Sequence, residues 1–122
     1  MPTLTESVHT GEFLLSEGNR NISRELIELA PNLTLLSGTV LGKDTANDLY
    51  KPLDPDATDG SQMAAGILWD HKTTDATGGE GVLIARLAEV DQERLIWPDG
   101  ITDEQKTTAI SELMALDIIL RQ

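Results

Sequence analysis

From Glu25 to Val90 every apolar run stops at strand length, cut off by glycine, proline or aspartate. Leu26-Ile27-Glu28-Leu29 ends at Pro31. Leu33 to Leu41, LTLLSGTVL, is rich in aliphatic and β-branched residues, and Gly38 within it predicts a bulge or a close backbone approach. Met63 to Trp69, MAAGILW, fits a buried strand containing Gly66. Gly81 to Val90 sets Val82, Ile84 and Arg86 against Leu83, Ala85 and Leu87, the alternation of a strand. Between these runs, Lys51 to Gly60 (KPLDPDATDG) cannot continue a strand or helix, and Thr73 to Gly81 reads as a turn. A chain of 122 residues so punctuated is one domain. Its only aromatics are Phe13, Tyr50, Trp69 and Trp97, so the core must be mostly aliphatic.

One segment carries a helical signature. Thr102-Asp103-Glu104-Gln105 fits a capping box, with Thr102 at N-cap and Gln105 at N3. Asp103 and Glu104 suit the positive end of the helix dipole. Ile110, Leu113 and Met114 lie at i, i+3 and i+4 and predict a core stripe. Asp117, tolerant of the left-handed conformation, is expected to stop the helix before a last short strand, Ile118-Ile119-Leu120. The fold class is α+β: a small β-rich domain with one C-terminal helix and an extended N-terminal arm.

The arm is read over residues 1–25 and the body over 26–122. Apolar residues in the arm are sparse and lack a period of 2 or 3.6, which predicts a segment extended or disordered in isolation. Phe13-Leu14-Leu15 stands out, because three large apolar residues together are disfavoured in a segment left in water.

Charge limits the partners. The chain carries 21 Asp and Glu against nine Lys and Arg, a net charge of −12. Such a surface repels phosphate backbones and anionic membranes, so neither nucleic acid nor membrane is expected as a partner. The absence of cysteine removes disulfides, thiol catalysis and cysteine-held metals without fixing the compartment. No apolar run is long enough to cross a bilayer as a helix. The opening MPTLTESVHTGEF has no basic segment followed by an apolar one, so no signal peptide is expected. The sequons at Asn21 and Asn32 are read as chance matches.

No catalytic constellation emerges. His9 and His71 are the only histidines, neither in a metal-ligating spacing, and both read as solvated. No serine sits in a nucleophile elbow, Gly42-Lys43-Asp44 lacks the rest of a phosphate loop, and Gly78-Gly79-Glu80-Gly81 is a turn. Asp54 to Gly60 misplaces its third Asp and its Gly for a calcium loop, and position 12 is Ala65. It reads as a turn built by Asp and Pro. No catalytic residue, metal or cofactor is assigned.

Five motifs in order resemble one family. They are Phe13 to Asn19 followed by Ser23-Arg24-Glu25; Gly38-Thr39-Val40-Leu41-Gly42; Tyr50-Lys51-Pro52-Leu53-Asp54; Asp59 to Asp70, DGSQMAAGILWD; and Leu95 to Ile101, LIWPDGI. Together they resemble the lambda-type bacteriophage head decoration proteins, also called capsid-stabilising or cement proteins, from about Glu12 to Arg121. The family often has Gly where this chain has Asp117. The resemblance implies a non-enzymatic, β-rich virion protein, made in the host cytoplasm. It would bind the outside of the expanded head as homotrimers at three-fold and quasi-three-fold positions and reinforce the shell against packaged DNA. The partner would be the major capsid protein, whose strands the arm joins. Val8, Phe13, Leu14, Leu15 and Ile22 are then expected as the capsid-binding residues of the arm, and Trp69, Trp97 and Pro98 as structural or trimer-contact residues. Strand addition needs no pocket, and three arms per trimer bind with avidity. With Glu6, Glu12, Glu17 and Glu25 nearly balanced by Arg20 and Arg24, the arm is expected to attach mainly by strand pairing and apolar anchoring. The alternatives are another phage structural module, such as a tail or baseplate accessory subunit, and a small cytoplasmic hydrolase.

Overall fold

The computed structural model describes residues 10–18 and 20–122. In chain order the elements are β1 (Leu14–Glu17), a one-turn helix α1 (Arg20–Ser23), β2 (Arg24–Leu29), β3 (Thr34–Leu35), β4 (Val40–Asp44), β5 (Leu49–Pro52), β6 (Gly66–Leu68), β7 (Lys72–Thr73), β8 (Gly79–Ile84), β9 (Ala88–Asp91), α2 (Asp103–Ala115) and β10 (Ile118–Arg121). Five strands close a barrel in the order β2-β5-β4-β6-β8. Its pairings are antiparallel except β2 with β5, which run parallel and meet at Leu29 and Tyr50. β3 and β7 form a separate two-stranded ribbon.

Alternation along the barrel strands builds two cores. Ile27, Leu29, Leu41, Leu68 and Leu83 belong to one, with Leu35 and Ala85. Val40, Ile67 and Ile84, the strand neighbours of Leu41, Leu68 and Leu83, belong to the other. An outer layer covers that second set: Phe13, just before β1, joins Ala88, Val90 and Ile118 of the sheet β1-β9-β10 and Ala109 and Leu113 of α2. β1 runs antiparallel to β9, whereas β10 runs parallel to it, as the intervening α2 permits.

The expected cap and stop of the C-terminal helix are both present. The Thr102 hydroxyl accepts the Gln105 N–H at 3.1 Å, and the Gln105 side chain accepts the Thr102 N–H at 3.0 Å. Asp117 has φ 62°, the left-handed conformation, and the chain turns there into β10. The stripe is narrower than expected. Leu113 and Ala109 are buried and Ile110 half-buried, but Met114 is 56% exposed. It lies about 100° around the helix from Leu113, beyond the face that reaches the core.

Elsewhere the runs are subdivided. Gly81 to Val90 is not one strand: β8 ends at Ile84 and β9 begins at Ala88. Between them Leu87 has φ 54°, rare for a bulky residue, and its carbonyl accepts the Gly18 N–H and the Ser23 hydroxyl. That kink carries the chain from the barrel to the outer sheet. Leu33 to Leu41 divides into β3 and β4 around Gly38, at φ 96°. A Cβ there would stand 2.8 Å from the Arg94 carbonyl oxygen, which is the expected close approach. Of Met63 to Trp69, only Gly66–Leu68 is strand.

The described part of the expected arm is built into the body. Leu14–Glu17 is a strand on β9, and Phe13 is 1% exposed in the second core. Among the described residues before β1, Phe13 alone enters the core, so this short piece shows no repeat. Residues 1–9 of that arm, with Val8 and His9, lie outside the described residues.

Two outcomes follow from this packing. Phe13→Ala should destabilise the fold by about 3–5 kcal/mol, and deleting residues 1–22, which also removes β1, should abolish cooperative unfolding. Chemical denaturation checks both, and a deletion as stable as the parent would refute the placement of Phe13. Thr102→Ala should cost about 1 kcal/mol through loss of the cap, measured in the same way.

Candidate functional site

The N-terminal segment is held against the barrel by a clasp centred on Trp69. The Gly11 N–H donates to the Ser37 hydroxyl at 2.8 Å and to the Trp69 carbonyl at 3.3 Å, while the Ser37 hydroxyl donates to that same carbonyl at 2.7 Å. Gly11 is required: φ is 70°, and a Cβ would sit 2.3 Å from the indole ring. Phe13 meets the indole edge-on at 6.3 Å between centroids. The Arg24 guanidinium lies 3.8 Å above the indole and pairs with both Glu17 carboxylate oxygens, at 2.7 and 3.0 Å. This two-pronged pair is mostly shielded, unlike a loose surface contact. At either end, the Thr10 hydroxyl donates to Asp70 at 3.0 Å and the Gly18 N–H donates to the Leu87 carbonyl at 2.8 Å. Arg94 pairs with Glu12.

The expected binding residues are therefore dispersed. Phe13 is spent on the core and Leu14 is half-buried against it. Leu15 and Ile22 face solvent, 55% and 48% exposed. Val8 lies outside the described residues. The sheet order leaves β1 at one edge and β10 at the other, so neither outer edge is paired among the described residues. Sequence reasoning passed over Leu26, the most exposed of the large apolar residues described at 72%. Its signal was the alternation itself: Ile27 and Leu29 point inward, so Leu26 and Glu28 must point out.

Trp69 is half-buried under the clasp, and Trp97 is half-buried against the core cluster that includes Ala109 and Leu113. The Lys106 ammonium sits 5.3 Å from the Trp97 ring centroid. The Trp97 Nε1–H is buried and has no acceptor among the described residues. Beside it runs a groove of about 270 Å³ lined by Leu35, Leu36, Ile96, Trp97 and Pro98, with Asp99 as its one carboxylate. The groove is apolar and brings no acid and base together.

Polar groups elsewhere serve the scaffold. The Lys51 ammonium donates to Asp59 at 2.5 Å, and the Ser61 hydroxyl and N–H donate to the other Asp59 oxygen at 2.6 and 3.0 Å. These donors hold the Asp59 carboxyl well below the usual carboxylate range and tie the proline-rich loop to β5. His71 is exposed, but its Nδ1 accepts the Ser37 N–H at 3.0 Å, so it supports the clasp rather than simply facing water. Among the described residues, no group of three or more His, Cys, Asp or Glu could hold a metal ion.

The orphaned indole N–H gives a direct test. Trp97→Phe removes it while keeping the ring packing, and should be neutral or stabilising by up to about 1 kcal/mol. Trp97→Ala should cost about 3 kcal/mol. Denaturation of both variants measures this; a loss of over about 2 kcal/mol in Trp97→Phe would reveal an acceptor.

Comparison with known proteins supplies the context for this arrangement. No curated protein matches the chain. The family model described as bacteriophage lambda head decoration protein D matches residues 3–118, which takes in the barrel, the clasp, α2 and the start of β10. This chain thus belongs to the lambda head decoration protein D family, and its role is structural, in the phage capsid.

Proposed function

We propose that this protein is a cement subunit that coats the outer surface of the expanded phage head as homotrimers, at three-fold and quasi-three-fold positions, and resists the pressure of packaged DNA. The partner is the major capsid protein. The observation that carries this reading is the family match across nearly the whole chain. The geometry is consistent with a binder that needs no pocket. The body is a fixed platform, and the clasp at Trp69 sets where the N-terminal residues begin, at Thr10 beside Asp70. Nine residues beyond that point span up to about 30 Å when extended, enough to cross onto a neighbouring subunit. The outer edges of β1 and β10 carry main-chain groups suited to strand addition.

The binding part of the arm is proposed to be residues 1–9, with Leu15 and Ile22 at its root. Phe13 acts indirectly, by seating β1 in the body. Trp69 holds that seat, and the apolar groove at Trp97 and Pro98 is the proposed trimer contact. The net charge of −12 argues against the packaged DNA as a direct partner.

Deleting residues 1–9 should leave the unfolding midpoint at the parent value and weaken binding to expanded heads by at least about tenfold, about 1.4 kcal/mol. Co-sedimentation with heads and a thermal melt measure the two effects. The parent should remain bound between 0.1 and 1 M salt, where the screening length falls from about 10 to about 3 Å. Failure of the parent to bind heads at all would overturn the reading.

A further inference from the structure

The register of the barrel defines a face that the outer layer leaves uncovered. On the outward side of β2 and β8, Arg24 stands opposite Ile84, Leu26 opposite Val82, and Glu28 opposite Glu80. The first of these pairs lies by the clasp. The second is an apolar pair of which Leu26 is 72% exposed. The third sets two exposed carboxylates directly across from each other, an arrangement that is destabilising unless a cation shares it. Neither Glu28 nor Glu80 has an ion-pair partner among the described residues. The cations nearest in register are occupied, Arg24 by Glu17 and Arg86 by Glu25.

We infer that this face, centred on Leu26 and Val82 and rimmed by Glu28 and Glu80, is a docking surface for a segment of the head-shell protein that presents an apolar side chain beside a Lys or Arg. The inference rests on the head-binding reading and adds a second contact to the arm. Charge selects the occupant. The chain's own residues 1–9, MPTLTESVH, contain Glu6 and neither Lys nor Arg, and their one titratable cation, His9, is next in sequence to Thr10, whose hydroxyl is committed to Asp70. A second copy is a poor source of the missing cation, because its Arg24, Lys43, Lys51, Arg86, Arg94 and Arg121 are each paired with a carboxylate of their own subunit. A basic, apolar partner relieves the repulsion and covers Leu26 together. Position supports the same choice. The Trp69 N–H donates to the Val82 carbonyl at 2.9 Å and Thr10 bonds the neighbouring Asp70, so the first described residue sits close to the margin of this face. Arm and face would then engage one shell.

Glu80→Lys gives an opposed pair of unlike charges across β2 and β8. It should raise the thermal midpoint slightly, yet weaken binding to heads by about tenfold. Leu26→Asp should weaken binding at least as much, with a lower midpoint because it adds a third carboxylate to the face, and Leu26→Thr, uncharged and β-branched, should weaken binding with the midpoint nearly unchanged. All three are measured in the full chain against DNA-free expanded heads built from the accompanying major capsid protein, with mass by light scattering off the heads. Gain of stability with loss of head binding is the expected signature of Glu80→Lys. If the parent binds and deletion of residues 1–9 abolishes binding, while all three variants bind like the parent, the face is wrong and the head-binding reading stands. A change of self-association in Leu26→Asp off the heads would also overturn the inference, by making the face a contact between copies. A parent that does not bind heads overturns the head-binding reading and this inference with it.

Discussion

The adjacent pairs Val40-Leu41, Ile67-Leu68 and Leu83-Ile84 each send one side chain into the barrel and the next into the layer outside it, and most of the remaining chain keeps water off that second set. The core inside the barrel holds seven buried residues, and the core outside it holds twelve. The outer core needs a lid that touches β4, β6 and β8 together, and no single element of this chain is wide enough. The lid is therefore assembled from both ends of the sequence: β1 from the N-terminal side, α2 and β10 from the C-terminal side, with β9 as the strand that both share. The parallel β9–β10 pairing and the left-handed turn at Asp117 follow from the need to bring the chain back beside β9 after α2 has covered Leu113's site.

The same constraint explains the clasp. Phe13 is the only phenylalanine in the chain and supplies the largest side chain in the outer core. A four-residue strand cannot hold it there by main-chain bonds alone. Ser37, the Trp69 carbonyl, the indole face and the Glu17–Arg24 pair provide anchors on both sides of it, so the order of residues 10–18 depends on several weak contacts acting together. A platform of this kind suits a structural virion protein: residues 10–18 are already seated on the body, so binding by the residues before them need not first order the segment beneath.

How far the fold could be read from sequence tracks how local each determinant is. The capping box at Thr102 and the stop at Asp117 involve residues within a few positions of each other, and both were legible. The break at Leu87 was not. Strands buried on both faces lose the alternation that marks their ends, so Leu83, Ile84 and Ala85 run on without a signal, and the kink is fixed by Gly18 and Ser23 from a distant part of the chain. Met114 was misplaced because the i, i+3, i+4 rule gives a stripe's direction but not how much of it the core can reach. Phe13-Leu14-Leu15 was correctly singled out as too apolar for water, but composition alone cannot say whether a partner or the chain itself provides the cover. Here Phe13 and Leu14 turn to the chain's own core and Leu15 does not. The outward position of Leu26 had one signal in the sequence, Glu28 two residues on, which marks the solvent side of a short apolar run.

Net charge then determines what kinds of contact remain open to such a body. At −12, any two copies repel, and so do this protein and nucleic acid. Contacts between copies must fall where few carboxylates are buried, and the groove at Trp97 and Pro98, with Asp99 alone, meets that condition. Contacts with a different partner face the opposite requirement, because carboxylates at the rim are an asset when the partner is basic. The edges of β1 and β10 are indifferent to charge, since their main-chain groups pair with any sequence. On the proposed assembly, self-contact and shell contact would be separated by chemistry rather than by shape. Specificity then comes as much from what the acidic surface rejects as from what it holds.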